Sequence, residues 1–298
     1  MQANTPSEAA RGALAAAICY LLWGLVPLYW RLLAGINPVE LIAHRALWSL
    51  VFLAVLVAAQ RLGAEIRAAL ATPRGVGTNF LSATLLTGNW LVYVWAVNTG
   101  HVIESSLGYF LVPLVNVALG RLVLHEHLRR LQWLAITCAA AGVVLMVIQL
   151  GHPPWIALAL AGTWGCYGLM RKRSHLGSLA GLTAEALLLA PFALGLLLWQ
   201  CHTGAGALGR VDSATHVVLL SSGVITAVPL LLFGYGARRI RLTTLGLLQY
   251  LAPTVQFALG LWVFHEPFSL ARASGFTLIW AGLALYTLDN LRGARAGA

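Results

Sequence analysis

Charged residues are scarce in this sequence, and their scarcity decides the environment of the chain. Of its 298 residues only 9% are charged, whereas 59% are hydrophobic, and the mean hydropathy is +0.81. A water-soluble domain of this length needs far more polar surface than these residues provide. The composition therefore excludes a soluble domain and predicts an integral membrane protein that is surrounded by the lipid bilayer.

Cysteine and the motifs of catalysis are also sparse. The four cysteines lie within or at the ends of apolar stretches without CxxC spacing, which indicates neither a disulfide framework nor a metal site. The two aspartates lie outside the apolar stretches, and no G-x-S-x-G or HExxH motif occurs. The single lysine, Lys172, follows Arg171 rather than a glycine-rich phosphate loop, which excludes an ATP-driven pump within this chain. We therefore expect no enzyme, no catalytic residue and no cofactor.

The segment His125-Glu126-His127 is rich in metal-ligating residue types, but its spacing does not favour a metal site. Residues two positions apart do not converge on one helix face, and no other ligand cluster accompanies them. We expect no metal here. Glu126 and Glu266 instead occupy matching positions beside the next helix, which a carboxylate can cap or contact at its positive end.

Ten apolar stretches follow one another along the chain, most of them near the roughly 20 residues that a helix needs to cross a bilayer. The first is too long for a signal peptide and lacks a convincing cleavage site, so we retain it as a helix. The stretches run over residues 12–33, 39–60, 76–98, 105–124, 131–150, 154–170, 179–200, 217–237, 242–264 and 268–288. The sequence therefore predicts ten transmembrane helices, spans 1 to 10.

Basic residues are distributed unequally between the segments that connect the spans. With a cytoplasmic N-terminus, 15 of the 19 basic residues fall in inside segments, and Arg31, Arg210 and Arg272 fall outside. This bias predicts that both termini are cytoplasmic, as an even number of spans requires. The basic residues form short scattered clusters rather than the continuous patch of a nucleic-acid-binding protein.

Two stretches about 140 residues apart in the sequence repeat each other. The residues Pro113, Leu119, Gly120, His125 and Glu126 recur as Pro253, Leu259, Gly260, His265 and Glu266. Each half then holds five spans, so the copies enter the membrane in opposite directions, as in the inverted repeats of secondary transporters. We predict an all-α integral membrane protein with ten transmembrane helices in two inverted five-helix repeats. The predicted segments are a cytoplasmic tail 1–10, repeats 11–150 and 151–291, and a cytoplasmic tail 292–298.

Each copy carries two polar residues seven positions apart, which places them on one helix face with a proline between them. They are Tyr109 and Asn116 in one copy and Gln249 and Gln256 in the other. Proline loosens a helix, and a loosened helix with a polar stripe is tolerated in a bilayer only against protein or a water-filled cavity. We interpret the copies as facing walls of a polar cavity; amides that serve only in helix packing are the alternative.

Span 3 adds an amide and a phenol on one helix face. Aromatic faces stack on flat or cationic solutes, and buried amides orient them. We therefore predict a substrate site at mid-membrane, with two tryptophans as apolar walls. Its residues are Asn89, Tyr93, Tyr109, Asn116, Gln249, Tyr250 and Gln256, with the walls Trp23 and Trp90. A mid-sized, partly aromatic, neutral or weakly charged solute suits this lining, because no acidic residue is available to hold a strong cation.

Arg45 is the only basic residue well inside an apolar stretch, where an arginine needs a partner or water. Glu40 and Glu104 lie on the same side of the predicted membrane. We expect a structural ion pair with one of them, and an anion-binding site is the alternative. Glu185, the counterpart of Arg45 in the second half, is expected to pair with the basic cluster 171–173, and titration as a proton carrier is the alternative.

Seven motifs are spread over nearly the whole chain. They are Pro38-x-Glu40-x-x-x-His44-Arg45-x-x-Trp48-Ser49, Gly88-Asn89-Trp90, Trp95-Ala96-Val97-Asn98, Ser106-Leu107-Gly108-Tyr109-Phe110-x-x-Pro113-Leu114, Arg129-Arg130-x-Gln132-Trp133, Tyr167-Gly168-x-x-Arg171-Lys172 and Leu245-Gly246-x-x-Gln249-Tyr250-x-x-Pro253-Thr254. Together they resemble the RarD-type branch of the EamA, or drug/metabolite, transporters. The resemblance implies a ten-helix permease of the bacterial inner membrane, associated with chloramphenicol sensitivity. The pairs His125-Glu126 and His265-Glu266 depart from the Gly-Glu that is usual in that branch.

Two classes of function remain, a solute carrier that works by alternating access and a membrane interaction or sensor protein without transport. The duplicated polar stripes favour the carrier, and no connecting segment is long enough to hold a soluble sensor domain. We therefore expect a secondary transporter that exports a small metabolite or drug. Its expected partners are the solute and the lipid bilayer, with no nucleic acid, and the sequence leaves a homodimer open.

Overall fold

The described part of the chain is built from helices. The computed structural model describes residues 7–150, 152–263 and 270–296, and within these ranges it contains α-helices, one 3₁₀ turn and no strand. The α-helices are α1 Glu8–Trp30, α2 Pro38–Gln60, α3 Gly63–Leu70, α4 Pro73–Asn98, α5 Val102–Leu122, α6 Arg130–Leu150, α7 Trp155–Arg173, α8 Ser178–Thr203, α9 Ser213–Arg239, α10 Leu242–Leu248, α11 Leu251–Trp262 and α12 Leu270–Ala296. The 3₁₀ turn, Arg31–Leu33, continues α1.

The predicted spans coincide with these helices. Spans 1 and 2 are α1 and α2, spans 3 to 8 are α4 to α9, span 9 is α10 with α11, and span 10 is α12. The short helix α3 was not predicted; it buries Ile66 against Ala180 and Ala184 of α8. α1 begins at Glu8 and α12 ends at Ala296, so both helices extend into segments predicted as tails. Gly151, the predicted start of the second half, lies outside the described residues.

Within the described ranges, six helical segments have the length and apolar composition needed to cross a membrane. They are Glu8–Leu33, Pro38–Gln60, Pro73–Asn98, Glu104–Leu122, Ser178–Thr203 and Ser213–Arg239. α6 and α12 contain shorter apolar segments, Arg130–Leu145 and Thr277–Asp289. The chain is therefore an all-helical protein with several membrane-spanning helices.

Span 9 is interrupted between α10 and α11 at Gln249 and Tyr250. Pro253 has no N–H to donate, and its ring displaces the carbonyl group four residues earlier, that of Gln249. This carbonyl accepts a hydrogen bond from the amide of Ala252 instead, at 3.1 Å. The matching Pro113 lies inside the continuous helix α5, so only one of the two copies has a broken helix.

Glycines allow the helices to approach one another closely. A Cβ atom on Gly24 of α1 would lie 2.5 Å from the Cβ of Val255 in α11. A Cβ on Gly142 of α6 would lie 2.8 Å from the carbonyl oxygen of Gly275 in α12. Small residues at crossings are the usual means by which membrane helices gain van der Waals contact.

Basic side chains connect several helix ends at one end of the bundle. Arg239 Nε in α9 lies 2.6 Å from Glu8 Oε2 at the start of α1, and Arg173 Nη2 in α7 donates to the carbonyl of Val123 after α5 at 3.1 Å. Arg129 Nη1 lies 3.6 Å from Asp289 Oδ2 in α12. We call this end of the bundle the basic end.

Glu126 caps a helix at the basic end, but not the helix that follows it in sequence. Its carboxylate accepts hydrogen bonds from the amides of Leu242 (2.6 Å) and Thr243 (3.0 Å) and from the Thr243 hydroxyl (2.7 Å). The expectation that Glu126 caps the next helix, α6, is therefore wrong: it caps α10 of the other half. His265 and Glu266 lie outside the described residues.

Candidate functional site

A cavity of about 430 Å³ lies between the helices toward the end opposite the basic end. Its lining comes from the later parts of α1 and α4, the earlier parts of α2 and α5, and α7, α9 and the α10–α11 break. Among the lining residues, Asn98 and Ser106 are exposed, whereas Tyr20 and Trp164 are buried. The cavity therefore has a rim at one end of the bundle and a floor near its middle. Its volume is within the usual range of small-molecule sites, about 300–1,000 Å³.

Seven of the nine predicted substrate residues line this cavity, namely Trp23, Asn89, Trp90, Tyr93, Tyr109, Gln249 and Gln256. The other two, Tyr250 and Asn116, do not line it in this structure. The hydroxyl of Tyr250 is buried and donates to the carbonyl of Phe110 at 3.2 Å. Asn116 is buried where α5 crosses α10. A Cβ atom added to Gly246 of α10 would lie 2.7 Å from the Cβ of Asn116.

Aromatic rings form much of the wall. The rings of Trp23 and Trp164 meet edge to face with centroids 5.2 Å apart, and those of Tyr93 and Tyr109 do so at 5.6 Å. The prediction omitted Trp164 even though the sequence carries a signal for it. Trp164-Gly165 lies at the same place in span 6 as Trp23-Gly24 does in span 1.

Arg45 lies on the cavity wall and is not ion-paired with either expected carboxylate. Its Nε donates to Thr226 Oγ1 at 3.0 Å, and its guanidinium carbon lies 4.7 Å from the ring centroid of Trp30 and 4.3 Å from that of Trp90. The expected ion pair is therefore wrong. Two aromatic faces and a hydroxyl group take the place of a carboxylate, because a ring face attracts a cation electrostatically.

Glu40 and Glu104 are both buried, and each accepts a hydrogen bond from a backbone amide of the second half. Glu40 Oε1 accepts from the amide of Ala207 at 2.6 Å, and Glu104 Oε1 accepts from the amide of Ile156 in the first turn of α7 at 2.8 Å. A carboxylate at a helix N-terminus is favoured by the helix dipole and the free amides. Neither glutamate is among the described residues that line the cavity.

Four polar atoms on the buried lining have no hydrogen-bond partner among the described residues. They are Tyr20 Oη, Asn89 Oδ1, Trp164 Nε1 and Gln249 Oε1. The amide nitrogen of Asn89 is fixed, because it donates to the carbonyl of Leu160 at 2.8 Å and to Thr163 Oγ1 at 2.9 Å. A buried polar group without a partner costs about 1–3 kcal/mol. These four atoms have almost no accessible surface, so their side chains must turn toward the cavity before a polar molecule inside it can pair with them.

A buried polar network lies between the cavity and the basic end. Arg171 Nη1 lies 3.2 Å from Glu185 Oε1, which also accepts from Ser82 Oγ at 2.6 Å. Glu185 Oε2 accepts from the Tyr167 hydroxyl at 3.2 Å. The predicted pairing of Glu185 with the basic cluster is confirmed, and it joins α4, α7 and α8.

Several helices with the length and composition of membrane spans surround a cavity with amides, aromatic rings and one cation, an arrangement typical of membrane transporters. Comparison with known proteins gives the family. The EamA-like transporter family matches residues 10–148. The uncharacterized transporter YojE of Bacillus subtilis (strain 168) is 43% identical over 293 residues, covering 97% of this chain and 98% of that protein.

Other relatives agree with this assignment. Protein RarD of Streptomyces exfoliatus is 45% identical over 281 residues, covering 93% of this chain and 88% of that protein. Protein RarD of Escherichia coli (strain K12) is 36% identical over 281 residues, covering 94% and 95%. A crystal structure with 21% identity has a TM-score of 0.73 over 93% of this chain and 97% of that chain, which supports the fold alone. The chain belongs to the EamA transporter family, in its RarD-type branch.

Proposed function

We propose that the chain is a secondary transporter that exports a small metabolite or drug across the bacterial inner membrane by alternating access. The observation that carries this proposal is a cavity with a rim at one end of the bundle and a buried polar network between its floor and the other end. Such an arrangement is what a carrier has when its site faces one side of the membrane. The direction, export, follows the drug/metabolite transporters that the sequence resembles.

The packing of the helices supports two inverted five-helix repeats and ten spans. Equivalent helices in the two halves are α1 and α7, α2 and α8, α4 and α9, α5 and α10–α11, and α6 and α12. α1 packs on α9, and the helices equivalent to these two, α7 and α4, also pack on each other. In the same way α5 packs on α7, and the equivalent helices α11 and α1 pack on each other. A two-fold relation between residues 11–150 and 151–291 accounts for these pairs.

The basic end supports an orientation with both termini in the cytoplasm. Its arginines connect the ends of α1, α5, α7, α9 and α12, and clusters of basic residues favour the cytoplasmic side. The rim of the cavity then faces outward. We propose that the seven lining residues predicted from the sequence contact the solute in this outward-facing state.

The experiment measures access to buried positions with a membrane-impermeant maleimide, in a variant in which the four native cysteines are replaced. Val97→Cys lies on the exposed rim, and Leu182→Cys lies buried near the basic end. Alternating access predicts that Val97→Cys reacts from the outside and Leu182→Cys from the inside. Leu219→Cys, buried at the rim end against Leu33, is the matched control and stays unreactive.

A protein that does not transport gives a different result. A static sensor leaves Leu182→Cys as unreactive from the inside as Leu219→Cys, and this result contradicts alternating access. The measurement needs no knowledge of the solute, because the maleimide reports the opening of the protein itself. Counterflow in inside-out and right-side-out vesicles then gives the direction of net movement.

A further inference from the structure

The guanidinium of Arg45 is held in place on the cavity wall with most of its donors free. Nε donates to Thr226 at 3.0 Å, and the rings of Trp30 and Trp90 lie 4.7 Å and 4.3 Å from the guanidinium carbon. In the described part of the chain, neither terminal nitrogen donates a hydrogen bond to a protein group. Arg45 therefore presents to the cavity the fork of donors that matches a carboxylate in two parallel hydrogen bonds.

Arg45 also sets the charge that the cavity accepts. It is the one charged residue among the described residues that line the cavity. Glu40 and Glu104, the carboxylates expected to pair with Arg45, accept hydrogen bonds from the backbone of Ala207 and Ile156 instead. A buried charge needs a counter-charge, so one guanidinium suits one negative charge. A phosphate monoester carries about −1.5 to −2 at neutral pH, so part of its charge would stay uncompensated. An ammonium group would add a second positive charge beside Arg45 and be repelled.

Four side chains at the floor would pair with a neutral group that both donates and accepts hydrogen bonds once they turn toward the cavity, because their unpartnered atoms are closed off in this structure. Asn89 Oδ1 and Gln249 Oε1 are unpartnered acceptors, the indole N–H of Trp164 is an unpartnered donor, and the Tyr20 hydroxyl can act in either way. All four residues are more than nine-tenths buried. A hydroxyl or amide group on a solute satisfies both kinds of atom, whereas a purely apolar end satisfies neither.

We propose that the solute of this cavity is an aromatic monocarboxylate with a neutral hydroxyl or amide group at the end remote from its carboxylate. The carboxylate binds Arg45, the ring lies among the aromatic walls, and the polar group pairs with the floor side chains after they turn toward the cavity. This inference rests on the proposed transport function, since it names the class of solute for the same cavity. The sequence predicted a neutral or weakly charged solute; this proposal instead names a solute with one negative charge, which the guanidinium of Arg45 balances.

The test is a binding series on the purified full-length protein in nanodiscs, measured by thermal shift and by quenching of tryptophan fluorescence. The probes are 4-hydroxybenzoate, 4-hydroxyphenylacetate and 3-(4-hydroxyphenyl)propionate, which differ in the length between ring and carboxylate. The matched controls are their primary amides, tyramine as a cation, and the ring without its hydroxyl group. We expect at least one hydroxylated carboxylate to bind about 10- to 100-fold more tightly than its amide.

Two variants test which residues cause the preference for a carboxylate and the preference for a hydroxyl group. Arg45→Gln removes the charge and is expected to reduce the preference for carboxylate over amide to about one, while Arg74→Gln, an exposed arginine of α4, preserves it. Gln249→Leu is expected to reduce the preference for the hydroxylated ring over the plain ring and to leave the carboxylate preference unchanged. The two preferences are ratios within one variant, so partial loss of folded protein does not alter them.

Several outcomes would overturn the inference. Equal binding of acid and amide by the unmodified protein, tighter binding of tyramine, or an unchanged carboxylate preference in Arg45→Gln each contradicts the role of Arg45. Failure of every probe to bind while Leu182→Cys still becomes reactive from the inside rejects the solute class and leaves the transport function standing. If Leu182→Cys does not react with the maleimide from the inside, the transport function itself is rejected.

Discussion

Removal of the Glu185 carboxylate is expected to destabilise the fold strongly. Arg171 and Glu185 are only 2% and 1% exposed, and their charged atoms lie 3.2 Å apart. Among the described residues, Glu185→Ala leaves the guanidinium with only the carbonyl groups of Gly177 and Ser178, at 3.3 and 3.5 Å. A buried ion pair that loses one partner costs about 3–5 kcal/mol, because the remaining charge is desolvated without compensation. We expect a loss of that size in the free energy of unfolding.

Removal of both charges is expected to have a much smaller effect. In Arg171→Met with Glu185→Leu no charge remains buried, and side chains of similar volume fill the site. The hydroxyl groups of Ser82 and Tyr167 lose their acceptor in both variants, so this cost, about 1–3 kcal/mol each, cancels in the comparison. We therefore expect the double variant to be more stable than Glu185→Ala, by the cost of the unpaired buried guanidinium.

The assay is reversible unfolding in mixed micelles, with helix content measured by circular dichroism and folded yield by size exclusion. Glu65→Ala removes an exposed carboxylate of α3 and is the control, with an expected change within about 0.5 kcal/mol. Equal loss in the single and double variants would refute the argument from desolvation. Glu185→Gln keeps the hydrogen-bonding shape without the charge; if its transport loses pH dependence while its stability is retained, the carboxylate is a proton carrier.

Two further predictions concern the architecture. Reporter fusions at Gly204 and at Ala298 are expected to report opposite sides of the membrane, with Ala298 cytoplasmic; one common side would contradict the ten-span topology. Gly223→Ala is expected to lower thermal stability by about 1–3 kcal/mol, because its Cβ would overlap the backbone of Trp48 in α2. Gly195→Ala, where nothing lies within 4 Å, is its control and should be neutral or slightly stabilising; equal losses in both would exclude close packing as the cause.

The helices could be predicted from the sequence because each apolar stretch specifies its own helix. In a bilayer the backbone must satisfy its hydrogen bonds within the segment, so local hydropathy suffices and tertiary contacts are not needed. The break in span 9 could not be located by the same argument. Pro113 and Pro253 look equivalent in sequence, yet only the helix around Pro253 is interrupted.

The cavity could be predicted only in part. Its residues on α4, α5 and α11 followed from helical spacing, which is local. Thr226 and Trp30 were missed because their approach to Arg45 depends on how α9 and α1 pack beside α2, which no local pattern records. The burial cost of Arg45 did indicate that a partner exists. It did not indicate that the partner would be two ring faces and a hydroxyl group rather than a carboxylate.

Asn116 and Gln256 give a test of the relation between the two halves. They are equivalent in the proposed repeats, yet their surroundings differ. Gln256 lies on the cavity and donates to the carbonyl of Trp23 at 3.3 Å. Asn116 is only 1% exposed, and neither of its amide atoms is hydrogen-bonded among the described residues. In an inverted repeat the two halves exchange conformations when the carrier turns to the other side. If the proposed alternating access holds, we expect Asn116 to take the lining position in the inward-facing state, which would give its unpartnered amide a role.

The two amides should therefore differ in binding and agree in transport. Asn116→Leu removes an unsatisfied buried amide, so we expect unchanged or slightly higher stability, unchanged binding of solute from the outside, and reduced transport. Gln256→Leu should reduce both binding and transport, by roughly the factor of 5–10 that corresponds to about 1 kcal/mol. Transport by Asn116→Leu at the rate of the unmodified protein would show that this amide serves only in helix packing. The exchange of conformations between the halves would then need a different lining residue on the cytoplasmic side.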